Sequence, residues 1–125
     1  WNAALILCAP CCHKEVRPQL TAPAPLRPLL KHGIHAADEA EMITDTLRAL
    51  VLESRGYAAR IFEFVGLEHT ARNKMIAAVR RKDGRPAPEA AGQIAQLMSF
   101  YGIRTQWLVE HVMKEAPVGG ADKER

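Results

Sequence analysis

The densest chemistry in this sequence is Cys8-Ala9-Pro10-Cys11-Cys12-His13-Lys14-Glu15, where three sulfurs and an imidazole fall within six residues. Cys8 and Cys11 have the Cys-x-x-Cys spacing shared by metal and redox sites. Zinc requires three or four ligands in a tetrahedron. Cys11, Cys12 and His13 are sequential, so their side chains diverge unless the backbone coils tightly, and no second Cys-x-x-Cys completes a knuckle. A thioredoxin-like dithiol would open a helix at once, which Pro18 and the lack of a helical stripe disfavour. Cys8 reads as a small apolar residue ending a strand. Cys11, Cys12, His13 and Lys14 are then the polar rim of the loop leaving that strand, a place where α/β sheets collect ligands. A second polar loop is Glu68-His69-Thr70-Ala71-Arg72-Asn73. His69 offers a proton acceptor, and Thr70 and Asn73 offer hydrogen bonds either to a ligand or to their own backbone. No nucleophile elbow, Walker loop, Gly-rich nucleotide loop or His-Glu-x-x-His helix is present.

The elements that would hold these loops follow from periodicity. Ala3–Cys8 is a continuous apolar run stopped by Pro10, the pattern of a strand buried at the centre of a parallel sheet. Prolines 18, 23, 25 and 28 allow only short turns before Gly33, one of them around Leu26–Lys31. A helix is predicted from Asp38, with Glu41 completing a capping box. Ala40, Ile43, Leu47, Leu50 and Val51 form its apolar face, Asp45 and Arg48 lie elsewhere, and Gly56 follows its end. Tyr57–Val65 reads as a strand with Phe62 and Phe64 on one face. Its Glu63 is a candidate partner for Arg60 or Arg72. Met75–Arg81 reads as an antiparallel return, since the intervening segment is too short for a helical crossover. Lys82-Asp83-Gly84 makes a turn. Two helical stripes follow, Ala91–Tyr101 ended by Gly102, and Trp107, Leu108, His111 and Val112 ended near Pro117, with a loose tail over 119–125.

Composition sets the outer limits. The 125 residues are 48% apolar and 25% charged, which excludes disordered and collagen-like classes. No stretch reaches the roughly 18–20 apolar residues of a membrane helix. A net charge of +3 permits a nucleic-acid partner without requiring one. The densest basic run, Arg80-Arg81-Lys82 with Arg85, serves equally as a phosphate contact or a solvated rim. An odd, tightly spaced set of cysteines suits a reducing, cytoplasmic setting.

The segments Leu5–Glu15, Arg48-Ala49-Leu50, Gly56-Tyr57, Glu63-Phe64-Val65 and Glu68–Ile76 together resemble a group of class I S-adenosylmethionine-dependent methyltransferases that carry a paired-cysteine Cys-Cys-His motif. The likeness spans about residues 3 to 81. It implies an α/β fold: the C-terminal part of a Rossmann-like sheet over 1–118, with Leu5–Cys8, Ile61–Val65 and Met75–Arg81 as its last three strands and the final one antiparallel. The cofactor would be S-adenosylmethionine, with its main binding half before Trp1 and the fragment inactive alone. Cys11, Cys12, Lys14, Thr70 and Asn73 would border the acceptor, an RNA base or protein side chain, and His13 or His69 would act as base. The partner of this piece would be the missing N-terminal half, or a second copy through the sheet edge, with no membrane involved. The alternative reading is a noncatalytic α/β module that binds a partner protein through an exposed sheet edge.

Overall fold

The computed structural model describes residues 2–10, 12–64 and 74–114. Three strands, β1 (Leu5–Cys8), β2 (Tyr57–Glu63) and β3 (Lys74–Arg80), form one sheet. Four helices accompany it: α1 (Arg27–Leu30), α2 (Gly33–Glu53), α3 (Ala90–Tyr101) and α4 (Trp107–Met113).

The strand order is β1-β3-β2, and β3 is antiparallel to both neighbours. Leu5 lies opposite Val79 and Cys8 opposite Ile76, while Tyr57 lies opposite Arg80 and Glu63 opposite Lys74. This corrects the fold expected from sequence. β1 and β2 share no ladder, and β1 is a four-residue edge strand rather than the buried centre of a parallel sheet. An unbroken apolar run looks the same in a strand covered on both faces and in one whose second face is open. β1 is the second kind: Leu5 and Leu7 are 54% and 55% exposed. The Rossmann-like sheet, and with it the methyltransferase resemblance, is overturned by the all-antiparallel pairing.

α2 is the central element and is longer than predicted, with 21 residues. It begins at Gly33 rather than at Asp38, and His32 occupies the cap in extended conformation without a side-chain bond. The capping box is therefore not used. Ala40, Ile43, Leu47 and Val51 are buried as their spacing predicts and pack with Val16, Ile94, Ile103 and Val112. Each such buried aliphatic contributes roughly 1.5–3 kcal/mol relative to exposure. The C-terminal end of α2 also delivers Leu52 to a second cluster with Tyr57, Ile76 and Ala78. The layers are thus sheet, then α2, then α3 and α4 on the far side.

Gly56 fixes the start of β2. Its φ is +87°, and a Cβ there would sit 2.6 Å from the Gly84 carbonyl oxygen, so no other residue fits without strain. Gly102 ends α3 in the left-handed conformation. The segment around 26–31 forms a short helical turn as expected. Trp107 departs from its expected place on a core stripe: it is largely exposed and stacks on His111 at 4.1 Å between ring centroids.

Candidate functional site

Cys8 ends β1 on the face that packs toward α2, since it lies opposite buried Ile76. The chain then turns back, and the His13 carbonyl accepts from the Val16 and Arg17 amides at 3.2 and 3.1 Å. That turn drives Val16 into the core with none of its surface exposed. Two side chains hold the loop from outside. Arg48 on α2 donates from Nη2 to the Cys12 carbonyl at 3.0 Å and from Nη1 to Asp45 Oδ1 at 3.3 Å. Gln19 donates from Nε2 to the Glu15 and Thr105 carbonyls, while its Oε1 accepts from the Arg104 and Thr105 amides.

Of the residues predicted to do chemistry, Cys12 and Lys14 are exposed and His13 is half-buried. Among the described residues no side chain hydrogen-bonds to the His13 ring, so nothing orients it as a base. Cys11, His69, Thr70 and Asn73 lie outside the described residues, as do Arg72, Pro117 and the 119–125 tail. Glu63 stands opposite Lys74, and Lys74 Nζ reaches Glu41 Oε1 on α2 at 3.5 Å.

Sequence reasoning placed Asp45 and Arg48 off the buried face. Asp45 is instead only 3% exposed, and its Oδ2 has no hydrogen-bond partner among the described residues. Burial pushes its carboxyl above the ordinary value of 3.8, with the Arg48 guanidinium opposing and Glu41 adding to the rise. The signal that could have located the pair is its Asp-x-x-Arg spacing, which puts both side chains on neighbouring turns of one helix.

The same surroundings act on Cys8. Cys8 is exposed and not the buried strand end that its apolar run suggested. Partial desolvation still pushes its thiol above the ordinary value of 9.0; Arg48 opposes this and Asp45 reinforces it. The thiolate is the nucleophilic and metal-binding form, and this shift disfavours it. No group of three or more His, Cys, Asp or Glu side chains suited to a metal ion occurs among the described residues.

Surface hollows lie elsewhere. One is bounded by Ser54, Arg55, Pro86, Pro88 and Met113, another by Leu50, Gln96 and Phe100, and a third by Thr21, Arg27 and Lys31. None adjoins the cysteine loop. Arg48 and Gln19 thus brace the loop, and S-adenosylmethionine has no parallel-sheet switch point to enter among the described residues.

The second face of the sheet is also open to solvent. Strand alternation puts Leu5, Leu7, Ala58, Arg60, Phe62, Met75, Ala77 and Val79 on the side away from α2. Leu5, Leu7 and Val79 are each more than half exposed, and Phe62 is also open to solvent. No helix is long and apolar enough to cross a membrane among the described residues. No family model, curated protein or solved structure matches this chain.

Proposed function

We propose that the chain is a noncatalytic α/β module whose exposed sheet binds a partner protein. The observation that carries this reading is the open apolar face built by Leu5, Leu7, Phe62 and Val79 beside the edge of β1, which pairs with no further strand among the described residues. A contiguous apolar patch of this kind marks an interaction surface, and an unpaired strand edge is normally covered or matched. The bracing of the cysteine loop by Arg48 and Gln19 supports the same reading, because it holds the chain where it leaves β1.

A photo-crosslinking amino acid at Ala58, on the open face, tests the proposal against the same group at Gln93 on α3. In extract from the source cells, position 58 should yield a discrete protein adduct and position 93 none. Leu7→Lys combined with Phe62→Lys should remove the adduct without lowering the melting temperature. Equal labelling from both positions would refute the assignment.

A further inference from the structure

The covered face of the sheet shows how a helix meets these strands. α2 packs Leu52 against Tyr57, Ile76 and Ala78, and supplies the Glu41 carboxylate to the Lys74 ammonium. The open face repeats that composition. Seven of its eight positions, Leu5, Leu7, Ala58, Phe62, Met75, Ala77 and Val79, are apolar, and the eighth is Arg60, on the edge strand β2 opposite Ala77 of the central strand. No acidic residue belongs to it. Resting on the reading of the sheet as an interaction surface, we infer that its occupant is a single amphipathic helix of a partner protein, with a carboxylate in its apolar stripe that meets Arg60.

Dimensions select a helix. Neighbouring strands are about 4.8 Å apart, so three strands span about 10 Å between outer axes, the diameter of one helix with its side chains. The seven residues of β3 extend about 23 Å, matched by about 15 helical residues. Charge selects against a second copy, because two identical faces packed about a two-fold axis bring two Arg60 guanidiniums into one apolar layer with no acid to neutralise them. An acidic position in a leucine stripe satisfies the same guanidinium and sets the register of docking.

The test uses the full chain and two labelled synthetic helices about 15 residues long. Both carry leucines at i, i+3, i+4 and i+7; one has Glu and the other Lys at the same place within the stripe. Fluorescence anisotropy should show the Glu peptide binding at least about tenfold more tightly. Arg60→Glu should reverse that order, Arg60→Gln should erase it, and Leu7→Lys with Phe62→Lys should abolish binding of both. Equal affinities for the two peptides that Arg60→Glu leaves unchanged would overturn the helix with its carboxylate, yet leave the interaction face standing if the double lysine variant still loses binding. Failure of both peptides to bind also overturns the inference, and the adduct from position 58 then decides separately whether the face has another occupant. A chain dimer in sedimentation, dissolved by Leu7→Lys, would replace the partner helix with a second copy.

Discussion

The two faces of one three-stranded sheet are built from similar residues and meet different fates. Toward α2, Ile76, Ala78 and Tyr57 are sealed and Lys74 finds Glu41. On the other side, Leu5, Leu7, Phe62 and Val79 stand in solvent around Arg60. Burial in this domain is therefore decided by which element returns to the sheet and not by the hydrophobicity of the strand. A sheet with one covered face is sufficient for folding because α2 carries most of the core on its own far side.

The largest measurable contrast should come from truncation across the sheet. Ile76→Ala is expected to destabilise the fold by about 2–5 kcal/mol, whereas Leu7→Ala should stay within about 0.5 kcal/mol. Urea midpoints of the two variants measure this, and comparable losses would erase the distinction between the faces. Gly56→Ala moves both faces together by displacing the start of β2 against Gly84, at a cost of about 1–3 kcal/mol. Its check is a lowered melting temperature that Gly84→Ala, with open space around its added methyl, matches only in part.

A smaller effect separates the sides by pH. The folded protein holds the Asp45 proton more tightly than the unfolded chain does. That contribution is fully present below the ordinary carboxylate value of 3.8 and is lost as pH rises through the higher folded value. Asp45→Asn should therefore flatten a decline in stability that starts near pH 3.8. Difference curves that superpose across that window would show that the orphaned carboxyl costs nothing. Smallest of all, Glu41→Ala should cost less than about 1 kcal/mol, because its ion pair with Lys74 is partly solvated; thermal denaturation at two salt concentrations measures it.

Local pattern revealed the elements better than their assembly. The period of Ala40, Ile43, Leu47 and Val51 located α2, and the short connection after β2 implied a hairpin-like return, both decided within a few residues of chain. The position of β1 depends on which strand it pairs with more than sixty residues later, and apolar Leu5–Cys8 carries no trace of that choice. The early start of α2 also escaped, because Gly33 looks like a stop signal when its neighbours are ignored. At the cysteine loop, residue types suggested ligand chemistry, while its actual constraint came from Arg48 and Gln19, whose reach only the folded chain reveals. Asp45 was hidden for the reverse reason: a carboxylate on a helix is ordinarily solvated.

The pairing of Leu5 with Val79 has a consequence for synthesis. β1 leaves the ribosome before β3, its ladder partner among the described residues, has been translated, and at about 5–20 residues per second the wait is on the order of 4–15 seconds. During that interval Leu5, Ile6 and Leu7 wait for the strand they pair with in the finished sheet. Completion of β3, not emergence of β1, is the moment at which this three-stranded sheet can close.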